Sequence, residues 1–292
     1  MEDVKGKVAF ITGGGSGIGL GMAGAFVRAG MRVVIADIRP DHLEQASRLL
    51  GAGEAIHAIQ LDVTDRDAMS RAADETERVF GKVHVLCNNA GVATTGPMKL
   101  ATYSDWDWTV SVNLGGVING VQTFLPRLLA HGEGGHIVNT SSMSGILPHA
   151  GAGLYITTKF AVVGMSEALR SELMAENVGV SVLCPGPVQT NIAECGKTRP
   201  ARLADTGYGE SDKNRQQHSV SPLYMDPAKV GERVLEGIKR NDLYIFTHSE
   251  FREGIRSRCE AVMAAVPDTD PDPALMEAVP FLLHNPIYSR TH

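Results

Sequence analysis

Short unbroken apolar runs alternate along the chain with longer stretches whose apolar residues recur every three or four positions. KVAFIT (7–12) is an apolar run that ends in a glycine cluster. Residues 17–29 then place Ile18, Met22, Ala25 and Phe26 at helical spacing, and Gly30 closes that helix. RVVIAD (32–37) predicts a second strand, followed by a helix from about Asp41, an N-cap candidate. AIHAIQ (55–60), a charged helix from Asp65 to Phe80, and HVLCNNAG (84–91) continue the alternation. GHIVNTSS (135–142) and GVSVLCPG (179–186) are two more strands, each preceded by a long helix, and LYIFT (243–247) is a last candidate. Strands separated by helices of ten or more residues imply right-handed βαβ crossovers, hence an α/β chain with a parallel sheet. Such a sheet is covered by helices on both faces, which is why its strands are apolar throughout.

Ligands in this architecture bind beyond the carboxyl ends of the strands, where strand order reverses. Gly13, Asp37, Asn88, Ser142 and Pro185 each end or follow a predicted strand, so they are expected near one site. No linker divides residues 1–250, and residues 1–265 are expected to form one catalytic domain. Residues 190–224 are polar and aperiodic, as lids and binding loops or partly disordered segments are, and are read as a lid. Residues 266–292, with two Asp-Pro steps and a short apolar run, are expected to be a C-terminal extension packed on its own or a neighbouring subunit.

Bulk composition narrows the partners. Hydrophobic residues make up 43% and charged residues 21% of the 292, ample for a substantial core. A net charge of −6 and a pI near 5.9 argue against nucleic acid or an anionic membrane as main partner. No apolar run approaches the ~20 residues of a membrane span. The start, MEDVKGKVAF, lacks the basic and apolar regions of a signal peptide, so a cytoplasmic location is expected. The four cysteines form no CxxC, and the ten histidines show no HxxxH spacing, so no metal site is expected.

The first glycine cluster, TGGGSGIG (Thr12 to Gly19), lies between a strand and a helix, where backbone N–H groups can approach a pyrophosphate. Gly13, Ser16, Gly17, Ile18 and Gly19 are its cofactor-binding candidates. Asp37 ends the second strand, where a carboxylate can accept both hydrogen bonds of an adenosine ribose and repel a 2′-phosphate. Arg39 bears on the same choice, since an arginine there can hold that phosphate; it is read as a surface residue, and NAD is expected rather than NADP. Asp62 and Val63 follow the third strand, within reach of an adenine, and Asp65 reads equally well as a helix cap. Tyr155 and Lys159 stand four residues apart on a predicted helix, which puts a phenol beside an ammonium. A free tyrosine has a pKa of about 10, and a fixed positive charge beside it is expected to lower that value and make it a base.

TGGGSGIG, NNAG at 88–91, Asn113 in VNLGG, Ser142 in IVNTSS, Tyr155 with Lys159, and PGPVQT at 185–190 together resemble the short-chain dehydrogenase/reductase family. The resemblance covers about residues 5–250. It implies a Rossmann-type, doubly wound fold with a seven-stranded parallel sheet, and a catalytic tetrad of Asn113, Ser142, Tyr155 and Lys159. The family spacing places the catalytic serine thirteen residues before the tyrosine, at Ser142, which makes Ser141 and Ser144 supporting residues. By the same resemblance Tyr155 is the general acid/base, Ser142 holds the reacting oxygen, and Lys159 also holds the nicotinamide ribose. Asn113 would interrupt its helix and hold a water; Asn89, Ala90 and Gly91 would line the adenosine side. Pro185, Gly186, Val188 and Thr190 would contact the nicotinamide. A homodimer or homotetramer through helices at about 104–130 and 153–177 is also implied.

A narrower resemblance lies beyond these motifs. TNIAE…RPA…GY at 190–208 and LYIF…EFREGI at 243–255 look like bacterial Cα-dehydrogenases of lignin-derived β-aryl ethers, which oxidise a benzylic secondary alcohol to an aryl ketone with NAD. The expected substrate is therefore a small-molecule alcohol or ketone of aromatic or similar bulk, with Ser144, Ile146, Leu147, His149, Ile192 and Tyr208 as pocket candidates. A hydroxysteroid dehydrogenase, an NADP-dependent ketone reductase and a non-catalytic dinucleotide sensor are the alternative readings.

Overall fold

The computed structural model describes residues 1–51, 53–209 and 220–288. Its centre is a seven-stranded sheet in the order β3-β2-β1-β4-β5-β6-β7, parallel at every pairing. The strands are β1 (Val8–Thr12), β2 (Arg32–Asp37), β3 (Ile56–Gln60), β4 (Val85–Asn88), β5 (Gly135–Thr140), β6 (Val178–Cys184) and β7 (Tyr244–Phe246). Strand order reverses between β1 and β4, which opens a crevice beyond their carboxyl ends.

All five residues of β1 are buried, and alternation along it feeds two cores. Ala9 and Ile11 join one apolar cluster with Met22 and Phe26 of α1 (Gly17–Arg28) and with Val230, Val234 and Ile238 of α7 (Pro227–Arg240). Val8 and Phe10 point the other way, into a cluster with Met69 of α3 (Arg66–Phe80) and Phe124 of α5 (Gly116–Ala130). The Phe10 and Phe124 rings lie 4.5 Å apart. Each such fully buried side chain contributes about 1.5–3 kcal/mol relative to exposure, so the sheet is held from both faces. Helices α1 and α7 approach closely because Gly21 meets Gly231: a Cβ on either would lie 2.1 Å from a carbonyl oxygen of the other helix.

Local signals account for the helix ends, with one correction. Asp65 caps α3 by accepting from the Ala68 N–H at 2.9 Å. Helix α2 (Pro40–Leu50) starts one residue earlier than expected; Arg39 is its N-cap, and Asp41 lies in the first turn, bonded to Arg39. Proline at the first helical position, with its φ already set, moves the boundary. The helix expected at 104–130 is two: α4 (Tyr103–Val110) and α5, joined by a five-residue π turn, Ser111–Gly115. Helix α6 (Gly153–Glu172) carries the Tyr155/Lys159 pair.

In the predicted lid, Ile192–Thr198 and Ala201–Leu203 are 3₁₀ turns, and residues 210–219 of that expectation lie outside the described residues. After β7 come α8 (Arg252–Ala264) and α9 (Pro273–Ala278), neither of which buries a residue. The extension returns to the body at Tyr288, whose hydroxyl donates to Glu167 of α6 at 3.1 Å; its last four residues, 289–292, lie outside the described residues. No helix among the described residues is long and apolar enough to cross a membrane.

Candidate active site

The glycine turn after β1 is built for a close approach. Gly13 and Gly17 have φ of +63° and +51°, the left-handed region that favours glycine. A Cβ at Gly13 would lie 2.9 Å from the Ala90 Cα, and one at Gly15 would lie 2.9 Å from a carboxylate oxygen of Asp37. Gly19 packs directly on the turn, where a Cβ would sit 2.1 Å from the Gly13 carbonyl oxygen. Ser16, the N-cap of α1, makes no side-chain capping bond to the first-turn N–H groups, and Ser16, Gly17 and Ile18 line the crevice. These features fit a dinucleotide pyrophosphate on both sterics and charge.

Asp37 is buried, and its two oxygens accept from the Gly15 N–H at 3.1 Å and the Arg39 N–H at 3.0 Å. Each oxygen keeps a lone pair for a ribose hydroxyl. Arg39, expected as a surface residue, is partly exposed and is paired. Its guanidinium is paired with Asp41 and donates to Glu194 of the lid at 3.3 Å. Asp62 folds back on its own turn, its Oδ1 accepting from the Thr64 N–H and hydroxyl at 2.9 and 2.8 Å. Asn89 braces the switch point: its amide donates to the Thr12 and Gly13 carbonyls, and its Oδ1 accepts from Thr140. Thr12 was not foreseen as a brace; its Oγ1 accepts from the N–H groups of Asn89 and Ala90 at 2.9 and 3.1 Å.

Tyr155 and Lys159 line the other end of the crevice, and Asn113 and Ser142 lie beside them without lining it. Asn113 sits fully buried inside the π turn. Its Oδ1 accepts from the Val92 N–H at 2.8 Å, and its Nδ2 donates to the Val92 carbonyl and to Thr158 Oγ1. Both amide protons are thus committed, and the side chain has only Oδ1 left to offer a water. Ser142 Oγ accepts from the Ser144 N–H at 3.1 Å, which leaves its proton to donate. Ser141 points away and donates to the Lys159 carbonyl at 2.7 Å.

Lys159 reaches from α6 to the end of β5, where it donates to the Thr140 carbonyl at 2.9 Å, and its ammonium lies 5.5 Å from the centre of the Tyr155 ring. The pKa of Tyr155 differs in direction from the sequence expectation. Burial raises the phenol above its ordinary value, a hydrogen bond with Ser142 opposes this, and burial lowers Lys159 to about 8. Proximity favours a phenolate only if the ammonium stays charged, and here desolvation acts against both ions.

A stability prediction follows from Lys159. Its pKa is about 8 in the fold and 10.5 ordinarily, so between these values the unfolded chain binds more protons. The cost of burying the charge is fully present below about pH 8 and is relieved as pH rises toward 10.5. The stability of the cofactor-free protein relative to Lys159→Met is expected to shift in favour of the wild type between pH 7 and 10. Denaturant midpoints of both proteins across that range check it; a constant difference would show that the lysine is not desolvated.

The crevice is one continuous cleft. Its walls include Gly13, Ser16, Gly17, Ile18, Asp37, Asp62, Val63, Asn89, Ala90, Gly91, Tyr155, Lys159, Pro185 and Thr190 from the expected set. Gly186 and Val188 stand behind it: the Gly186 N–H donates to Thr247 Oγ1 at 2.9 Å, and Val188 packs into the α1/α7 core. Among the six pocket candidates, Ile192 lines the cleft. Ile146 and Leu147 instead pack with Met143, Phe251 and Ile255 under the start of α8. Ser144 shares a hydrogen bond with the exposed His149 at 3.2 Å. Tyr208 is 2% exposed, with its ring pressed against Gly96.

Sequence reading missed two walls of the cleft: Trp108 and Val112 on one side, and Cys195, Pro200 and Arg202 of the segment 190–224 on the other. The segment 192–205 is anchored there by Arg199, which donates to Asp105 at 2.7 Å and stacks 5.0 Å over the Trp108 ring. Among the described residues, no group of three or more His, Cys, Asp or Glu side chains is placed to hold a metal ion.

Residues 7–199 match the short chain dehydrogenase family. The chain is 42% identical over 276 residues to a C alpha-dehydrogenase of Sphingobium sp., covering 94% of this chain and 90% of the relative. A short chain dehydrogenase/reductase from Burkholderia phymatum, solved in complex with NAD, superposes with a TM-score of 0.85 at 35% identity, covering 93% of this chain and 99% of that one. The apo form of LigO from Sphingobium sp. strain SYK-6 superposes with a TM-score of 0.75 at 39% identity, covering 98% and 94% respectively.

Proposed function

The chain belongs to the short-chain dehydrogenase family, and we propose that it is an NAD-dependent dehydrogenase of bulky, aromatic secondary alcohols. It is an oxidoreductase acting on CH–OH groups with a nicotinamide cofactor; the choice of NAD, the residue roles and the substrate class are our reading. The observation that carries it is one cleft with a glycine cradle and Asp37 at one end and Tyr155 and Lys159 at the other, with Ser142 hydrogen-bonded to Tyr155.

A nicotinamide bound in the cleft supplies the hydride acceptor. Tyr155 Oη, as phenolate, takes the proton of the substrate hydroxyl. Ser142 Oγ accepts from the Ser144 N–H, which leaves its own proton available to donate to that oxygen and hold it as negative charge develops. Lys159, pinned by the Thr140 carbonyl, keeps its ammonium beside the phenol. Asn113 ties the π turn to Val92 and Thr158, which fixes the loop after β4 against α6. Reduction of a ketone runs the same proton back from Tyr155.

The substrate reading draws on the walls beyond the tetrad. Val92, Trp108, Val112, Ile192 and Pro200 are apolar and include an indole ring, suited to an aryl group, and Arg202 stands beside them. The relative named C alpha-dehydrogenase supports the same class, in line with the lignin-ether resemblance of the lid and tail. NAD is supported by Asp37 and by the two carboxylates that occupy Arg39. A dimer or tetramer belongs to the same reading, supported by exposed Tyr103, Val110 and Ile118 on α4 and α5.

Cofactor absorbance with NAD and NADP tests this on benzylic secondary alcohols, a β-aryl ether model among them, beside steroid and aliphatic alcohols. NAD is expected to exceed NADP by at least tenfold in kcat/KM, with the aryl carbinols best. Turnover confined to steroid or aliphatic alcohols would remove the aryl reading and leave the reaction class.

A further inference from the structure

We infer that Glu194, a lid residue, is a determinant of cofactor choice: it holds Arg39 away from the position of a ribose 2′-phosphate. The inference rests on reading the cleft as the nicotinamide dinucleotide site. Arg39 stands two residues after Asp37, and both line that cleft. A free guanidinium there would pair a 2′-phosphate bidentately, as arginine does with phosphates generally. Arg39 is not free. Its Nε donates to Asp41 Oδ1 at 3.0 Å, a second nitrogen pairs with Asp41 Oδ2, and Nη1 donates to Glu194 Oε2 at 3.3 Å.

Asp41 is a neighbour in sequence and cannot leave. Glu194 comes from 155 residues away, on a separate segment that meets Arg39 only through the fold. Lys197 bonds the same glutamate oxygen at 2.9 Å, which orients it without cancelling the acidic balance around Arg39. Asp37, Asp41 and Glu194 are three carboxylates around two cations, Arg39 and Lys197. A dianionic 2′-phosphate would meet this excess and would have to displace Glu194 to reach Arg39. The adjacent contact between Asn191 Nδ2 and His42 Nε2, at 3.3 Å, ties the same stretch of lid to α2. Discrimination against NADP therefore rests on a residue distant in sequence from Asp37 and Arg39.

The test is binding of 5′-AMP and 2′,5′-ADP by calorimetry, with the NADH/NADPH affinity ratio from fluorescence as a second readout. Glu194→Gln keeps the shape and removes the charge. It is expected to shift both ratios toward the 2′-phosphorylated ligand by at least fivefold, with no such gain when combined with Arg39→Ala. A ratio within twofold of wild type in Glu194→Gln overturns the inference, as does an equal gain without Arg39. A wild type that binds none of these ligands overturns the cofactor reading itself, a result distinct from an unchanged ratio in proteins that bind them all.

Discussion

Tyr155→Phe is expected to lower turnover by about 10²–10⁴-fold, the range that a positioned proton-transfer group contributes, while dinucleotide affinity changes little. The substitution removes one oxygen and leaves the ring on α6, where the Lys159 ammonium 5.5 Å from its centre still has an aromatic face to meet. Ser142 keeps its support from the Ser144 N–H, so the variant retains a donor for the substrate oxygen but no acceptor for its proton. The pH profile separates this role from a structural one. In the cofactor-free fold the phenol is held above its ordinary value by burial, so it is protonated at neutral pH and suited to ketone reduction. Wild-type alcohol oxidation is therefore expected to rise with pH, and the residual oxidation by Tyr155→Phe to be nearly flat. Single-turnover rates and NADH fluorescence titrations measured from pH 6 to 10 decide the matter. A variant within tenfold of wild type, with affinity intact and the pH slope retained, would place the acid/base elsewhere.

The sheet and the cradle could be read in the sequence because their determinants are local. Unbroken apolar runs marked strands covered on both sides, and β1 shows why: consecutive residues serve opposite cores. TGGGSGIG placed glycine at Gly13 and Gly17, where φ is positive and no other residue is at ease. The Tyr155/Lys159 spacing held because α6 is an ordinary helix there. Its electrostatics could not be read the same way, since a pKa depends on burial by elements distant in sequence, and burial acts on both partners.

The pocket was harder for a related reason. Ile146 and Leu147 follow the serine loop, and apolar residues there can face a ligand or a core. Phe251, Gly254 and Ile255, more than a hundred residues later, cover them, so they face the core. Tyr208 was drawn onto Gly96, a close approach that only a residue without a side chain allows and that no spacing rule announces. The lid's own contacts escaped notice because aperiodic segments carry no pattern to read. One letter pattern was available: Thr102 and Asp105 form a capping box at the start of α4. What that box also does depends on Arg199.

Asp105→Ala is expected to destabilise the protein by about 3–5 kcal/mol, the range for breaking a buried ion pair from one side. The Asp105 side chain is fully buried and that of Arg199 is 9% exposed. Five donors converge on this carboxylate: Arg199 and Thr206 on Oδ1 at 2.7 Å each, and the Thr102 N–H, the Thr102 hydroxyl and the Gly207 N–H on Oδ2. Alanine leaves a guanidinium buried without its counter-ion and strands the Gly207 N–H, whereas Asp105→Asn keeps part of the hydrogen bonding and should cost less. Arg199 also carries the lid over Trp108, so the loss falls on the substrate end of the cleft. KM for the alcohol is expected to rise at least tenfold, dinucleotide affinity to change much less, and protease cleavage within 199–208 to appear. Burial alone would raise the Asp105 pKa, but the hydrogen bonds outweigh it and hold the carboxyl below its ordinary range. Its contribution is therefore present above the ordinary carboxylate pKa and is lost as pH falls through the lower folded value. The acid limb of the stability curve should be shallower in Asp105→Asn than in the wild type. An unfolding free energy within about 1 kcal/mol of wild type for Asp105→Ala, with the alcohol KM unchanged, would mean that this segment is held instead by the apolar contacts of its Leu203 and Cys195 with Val92, Trp108 and Val112.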